Sequence, residues 1–262
     1  MGAMRLGFVG AGNMAGGLAR GWAASRGEPG APEAMLFSDA DHQRAEALAD
    51  EVGGEAVEGN LALADTSDMV ILAVKPKDLD EVAPDLVQAD TPVISILAGT
   101  SLKTLHEAAP GIDLIRVMPN LGAQVREAVL CVAYGHSVDE AERKRVADML
   151  GLVGEVIELE EGLIDAATAI MGCTPGYLAL IAEILVEAGV KEGLTEDQAR
   201  RMAAKAMSAS GKLLELREPG ELKRAVASPG GMTEAGLNEL EEHNLREALQ
   251  AAVAASLEIA RR

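Results

Sequence analysis

Gly10-Ala11-Gly12-Asn13-Met14-Ala15 stands between an apolar stretch at 5–9 and an amphipathic one that follows. Glycines are needed at such a junction when backbone must come close to an anion. Gly10 would allow the tight turn, Gly12 the approach of a pyrophosphate and Ala15 close helix packing, while the N–H groups of a helix start act as donors. A tight strand-to-helix turn without a ligand is the alternative. Ser38-Asp39-Ala40-Asp41 closes the next apolar run, where a dinucleotide's ribose would be read. The Asp39 carboxylate would accept from a 2′-OH and repel a 2′-phosphate, which favours NADH over NADPH; Arg44 is the residue that could reach a phosphate. Asp39 and Asp41 also read as caps for a helix starting near His42.

Three further strand ends carry candidates. Ala73-Val74-Lys75-Pro76 and Leu97-Ala98-Gly99-Thr100 place backbone groups at the carboxyl edge of a sheet, where ligands of such folds bind. Lys75 reads equally as a solvated lysine. In Arg116-Val117-Met118-Pro119-Asn120, proline fixes the strand exit and the Asn120 amide could bond a carboxamide. Ser228-Pro229-Gly230-Gly231-Met232-Thr233 is a Gly-rich turn opening the last helical stretch. Its backbone N–H groups suit a small carboxylate, and the Ser228 and Thr233 hydroxyls suit a carboxylate or an imine nitrogen. An ordinary helix cap explains the same residues.

The elements that must position these groups follow from periodicity. Apolar runs at 5–9, 34–37, 69–74, 93–97, 114–117, 129–133 and 156–159 predict strands covered on both faces, and amphipathic stretches at 14–25, 42–51, 78–87, 102–108 and 140–150 predict the helices between them. Alternating strands and helices predict a doubly wound parallel sheet. Beyond Glu161 the strands stop. Helical periodicity predicts a helix over 163–188 interrupted near 172–176 by Gly and Pro, then helices over 196–216, 220–226 and 233–260. The stretch 248–257 carries no charge, so it needs cover from its own domain or from another subunit.

Composition removes whole function classes. A formal charge of −19 opposes nucleic acid and anionic membranes. Cys131 and Cys173 lack metal or redox spacing, and His42, His106, His136 and His243 are scattered, so no metal site is expected. Leu178 to Val186 is cut by Glu183, so no membrane span is expected, and the run from Met4 into glycines has no signal-peptide pattern. The expected location is cytoplasmic.

The motifs and their order resemble the pyrroline-5-carboxylate reductase family: GAGNMA at 10–15, AVKP at 73–76, ISxxAG at 94–99, RVMPN at 116–120, LIDAxTA at 163–169 and SPGGxT at 228–233. The resemblance covers essentially the whole chain. It implies an N-terminal Rossmann-type domain over 1–161 and an all-helical substrate-binding and dimerisation domain over 162–262. It further implies reduction of a cyclic imine to L-proline with NADH or NADPH. Asn60, in the loop before the third predicted strand, is implied as a cofactor contact, and Glu161 as a carboxylate near the substrate. Gly230, Gly231 and Thr233 would hold the substrate carboxylate, Ser228 would assist, and the Thr233 hydroxyl would bond the ring nitrogen.

This chain departs from the family pattern at three places. It has Met171-Gly172-Cys173-Thr174-Pro175-Gly176-Tyr177 where SGSGPAY is usual, Leu121-Gly122 where Thr-Pro follows MPN, and Ala227 where a hydroxyl residue precedes SPGG. All three fall near the expected substrate and nicotinamide pockets. A paralogous reductase of a related cyclic imine acid, or a non-catalytic dinucleotide-binding regulator, therefore remains open beside the reductase reading.

Overall fold

The computed structural model describes residues 4–260. Eight strands form one sheet among them: β1 (Arg5–Val9), β2 (Ala34–Ser38), β3 (Glu55–Ala56), β4 (Met69–Leu72), β5 (Val93–Ser95), β6 (Leu114–Met118), β7 (Ala128–Tyr134) and β8 (Gly154–Glu158), in the order β3-β2-β1-β4-β5-β6-β7-β8. All neighbours pair parallel except β6 and β7, which are antiparallel. The expected all-parallel sheet is thus mixed. A parallel return needs a crossover of about a dozen residues or more. Residues 119–127 hold only a short 3-10 turn, Leu121–Val125, so β7 comes straight back along β6.

Helices α1 (Asn13–Ala24), α2 (His42–Val52), α3 (Asn60–Asp65), α4 (Leu79–Ala89), α5 (Leu102–Ala108) and α6 (Glu140–Leu150) cover the sheet. One apolar cluster takes Phe8, Trp22, Phe37 and Ile71, the other Val9, Leu36, Leu72 and Leu86, so successive residues of β1 and β2 feed opposite faces. Phe8 stacks on Phe37 at 4.8 Å and meets Trp22 edge-on at 6.0 Å; the indole N–H donates to the Met149 carbonyl at 2.9 Å. Three of the five aromatic side chains are spent beneath the glycine-rich turn. Burial pushes the Cys131 thiol up, which keeps it protonated and inert. Asn60, expected in a loop, instead opens α3.

The remaining helices are α7 (Ile164–Ala167), α8 (Thr174–Lys191), α9 (Glu196–Leu216), α10 (Pro219–Val226), α11 (Met232–Glu242) and α12 (Leu245–Ala260). Two expectations change here. The helical run Glu161–Lys191 is not broken near 172–176: it continues through a π-turn, Thr168–Gly172, and Pro175 falls in the first turn of α8, where a missing N–H costs little. By length and composition this run is apolar enough to cross a membrane, contrary to the reading of its charges, and almost none of it is buried within the chain. The single helix expected over 233–260 is two, because Asn244 turns left-handed at φ 57° and separates α11 from α12.

Compactness divides the chain into a first unit, 4–172 with 259–260, and a second, 173–258, so residues 162–172 pack with the sheet through Ile164 and Met171. In the second unit α9 starts with a capping box between Thr195 and Gln198, and the Tyr177 hydroxyl lies 2.8 Å from Ser256 Oγ, tying α8 to α12. α8, α10, α11 and α12 have no buried residue.

Candidate active site

Gly10 ends β1 with φ +101°, a conformation that side chains strain to adopt, and a Cβ there would stand 2.7 Å from the Ala73 carbonyl oxygen. Its N–H donates to the Ser38 carbonyl at 2.8 Å, which joins the ends of β1 and β2. Gly12 is the N-cap of α1. It has an ordinary φ of −77°, no side-chain cap, and nothing within 4 Å of where its Cβ would be. Nothing in the chain itself therefore requires glycine at 12. The first N–H groups of α1 at Asn13 and Met14 have no partner in the helix, so a bare concavity of donors opens above Gly12, and a pyrophosphate fits it.

The Asp39 carboxylate is held rather than free: Oδ2 accepts from Ala11 N at 2.8 Å and Oδ1 from Asp41 N at 2.9 Å. Each oxygen retains a lone pair for a ribose hydroxyl. The Arg44 guanidinium lies 3.9 Å from it, exposed to solvent. Ser38 is buried and donates to the Asn60 amide oxygen at 2.8 Å, so two candidates separated in sequence meet at the mouth of the crevice. Ala73 N donates to Val9 O at 2.8 Å, placing the Ala73–Pro76 strand end beside the glycine turn; Lys75 is exposed, and Ala98 and Gly99 form an exposed turn after β5.

Asn120 and Glu161 are already engaged. Asn120 Oδ1 accepts from Gly122 N at 3.1 Å and Val129 N at 3.4 Å, while Nδ2 donates to the Met171 carbonyl at 3.1 Å. Glu161 accepts from Leu102 N at the start of α5 and stands 3.6 Å from Arg116. Arg116, buried on β6, also donates to Asp165 at 2.7 Å. Sequence reading took Arg116 only as part of a strand end and passed over Asp165. An arginine inside a fully apolar strand is the signal that an acidic partner must exist.

In the second unit, the 228–233 turn is built on Gly230 at φ +72° and Gly231, the N-cap of α11. Gly231 N donates to Ser228 O at 2.9 Å, and a Cβ on Gly231 would meet Ser228 Oγ at 2.5 Å. No side chain caps α11, so neither Ser228 nor Thr233 is spent as a cap; Thr233 is exposed in the first helical turn. Gly230 N donates to the Glu234 carboxylate at 2.7 Å. A carboxylate thus already sits on this turn. The sequence reading missed Glu234, although an acidic residue in a helix's first turn is the expected partner for such N–H groups.

Comparison with known proteins bears on both halves. The family model described as pyrroline-5-carboxylate reductase dimerisation matches residues 161–262, and that described as NADP oxidoreductase, coenzyme F420-dependent, matches 5–99. A pyrroline-5-carboxylate reductase of Thermus thermophilus is 37% identical over 255 residues, covering 97% of this chain and 96% of its own, and one of Corynebacterium melassecola is 35% identical over 233 residues, 86% of each. Among solved structures, the Streptococcus pyogenes 1-pyrroline-5-carboxylate reductase superimposes with a TM-score of 0.89 at 29% identity, covering 99% of this chain and 98% of its own. The Plasmodium falciparum pyrroline carboxylate reductase with NADP bound gives 0.86 at 27% identity, with the same coverage.

Proposed function

The chain belongs to the pyrroline-5-carboxylate reductase family, and from that premise we propose how its own residues divide the work. It is an NAD(P)H-dependent oxidoreductase that reduces 1-pyrroline-5-carboxylate to L-proline. Residues 1–161 form the cofactor domain and 162–262 the substrate-binding and dimerisation domain. When bound, the nicotinamide supplies a hydride to the imine carbon. The turn from Gly10 to Met14 takes the pyrophosphate, Ser38, Asp39 and Asn60 the adenosine ribose, and the strand ends at Ala73–Pro76 and Ala98–Gly99 line the path toward the nicotinamide. Backbone donors of Gly230, Gly231 and Thr233 hold the substrate carboxylate with Ser228, and the Thr233 hydroxyl bonds the ring nitrogen. The imine arrives protonated; hydride addition to its carbon leaves the nitrogen as a neutral secondary amine, so no side chain has to act as a strong acid. Glu161 acts at one remove, by fixing α5 and Arg116.

The observation that carries this reading is Gly12, a glycine with no internal reason for being one, at the open start of α1. The deciding experiment is oxidation of NADH and NADPH with 1-pyrroline-5-carboxylate and with its six-membered homologue. Faster turnover of the five-membered ring is expected; equal or faster turnover of the larger ring would transfer the assignment to a related imine acid.

Asp39 favours NADH, because its charge faces the ribose 2′ position. Asp39→Ser should move the ratio of kcat/KM toward NADPH. A wild-type enzyme that already prefers NADPH tenfold would assign the site to Arg44 instead.

The partner that covers the second unit is another copy of this chain. α8 carries Leu180, Ile184 and Leu185 at least half exposed, and the family match over 161–262 is a dimerisation model. Light scattering at micromolar concentration should give a dimer or larger, and Ile184→Arg should shift it toward monomer; a wild-type monomer would refute the assignment.

A further inference from the structure

We propose that Asn120 is a positioning residue: its amide holds the Met171 carbonyl that Pro175 leaves without a helical donor, and so fixes the turn Thr168–Gly172 on which imine binding depends. The proposal rests on the reductase reading for its substrate and on this chain's hydrogen bonds for its geometry. In a helix the carbonyl of residue 171 is met by the N–H of residue 175, and proline has none. The next two N–H groups do not replace it, because Gly176 N and Tyr177 N both donate to the Cys173 carbonyl, at 3.0 and 3.3 Å. A half-buried carbonyl left so would be costly. Asn120 Nδ2 meets it at 3.1 Å.

The asparagine is itself oriented. Gly122 N and Val129 N both donate to its Oδ1, which turns the NH2 end toward Met171. At the other end of the same run, Arg116 ties Glu161 and Asp165 to β6, so the segment 161–171 is held to one strand and its exit at both ends. Within it, Thr168 Oγ donates to Ile164 O at 2.7 Å, and Met171 packs against the core. The turn from which 171–177 departs, where this chain differs from its family, is therefore set by the residue that ends β6. On this assignment Asn120 reaches the substrate through Met171 and does not contact the carboxamide.

Asn120→Ser is the selective variant. A serine at an N-cap still accepts from the N–H two residues on, so the 121–125 turn keeps its cap, but the side chain no longer reaches Met171. The KM for 1-pyrroline-5-carboxylate should rise about tenfold, the equivalent of one hydrogen bond, with the Kd for NADPH unchanged. Pro175→Ala restores an N–H at 175, so N120S/P175A should recover most of the loss. A raised NADPH Kd without rescue would make Asn120 a cofactor contact and overturn the proposal, as would a lowered Tm with unaltered KM. Hydrogen exchange separates the proposal from the reductase reading. Amides in 168–177 should exchange faster in N120S and return toward wild type in the double variant, even if the wild type proves not to reduce this imine. Unchanged exchange in N120S, or failure of both variants to fold, would overturn the bracket itself.

Discussion

Gly10→Ala should lower the unfolding free energy by about 2–6 kcal/mol and abolish NADP binding, whereas Gly12→Ala should cost about 1 kcal/mol or less and still weaken NADP at least ~tenfold. The two glycines stand two residues apart and fail for different reasons. At position 10 a methyl group meets both a backbone angle of φ +101° and the Ala73 carbonyl oxygen at 2.7 Å, so strain and overlap add, and relief requires β1 and β4 to part at the crevice. At position 12 the backbone is ordinary and the methyl meets no protein atom. Its only cost to the free protein is the poorer N-cap. A bound pyrophosphate would have to occupy the same space. Thermal melts of the two variants, with titration of NADPH against each, decide the matter. If Gly12→Ala binds NADPH as the wild type does, the concavity is a turn and nothing more.

The same turn shows what a sequence can carry. α5 and α6 have the bounds expected of them because each start is written locally: Ser101 accepts from Thr104 N and Asp139 from Glu142 N. The glycine motif is legible because its meaning depends only on the strand before it and the helix after it. β7 was legible as a strand but not in direction. An apolar run has the same composition whichever way it points, and the shortness of 119–127 was the clue that it returns antiparallel. α3 escaped because six residues hold less than two turns of periodicity, and the break at Asn244 because it uses neither glycine nor proline. Side-chain commitments were the least legible. Asp39 and Asn120 were each read as facing a ligand, yet both are engaged by backbone groups, Asn120 in part by one 51 residues away. Pro175 nonetheless announces an unpaired carbonyl at Met171 in the sequence itself; what it does not announce is which donor will come.

Thr233→Ala should reduce kcat/KM for 1-pyrroline-5-carboxylate by roughly ten- to a hundredfold, the worth of a hydrogen bond to a charged group at about 1.5–3 kcal/mol, with Tm nearly unchanged. A capping role would predict the reverse, a stability loss of about 1 kcal/mol and intact kinetics. That role has little support in the fold: the N-cap of α11 is Gly231, no side chain caps the helix, and the Thr233 hydroxyl is exposed in the first turn. The turn has shown its taste for carboxylates through Glu234, whose oxygen sits 2.7 Å from Gly230 N. A substrate carboxylate seated on those donors must displace Glu234, and the ring then extends from the helix start, where a first-turn hydroxyl is the nearest group able to accept a hydrogen bond from an iminium N–H. Because the bond strengthens the hold on the charged ring, its loss should fall on the substrate side, leaving the Kd for NADPH as in the wild type. Thr233→Ser, which keeps the hydroxyl, should retain most of the activity. Equal loss in the alanine and serine variants would mean that the methyl group's packing matters and the hydroxyl does not, and unaltered kinetics in both would remove Thr233 from the site.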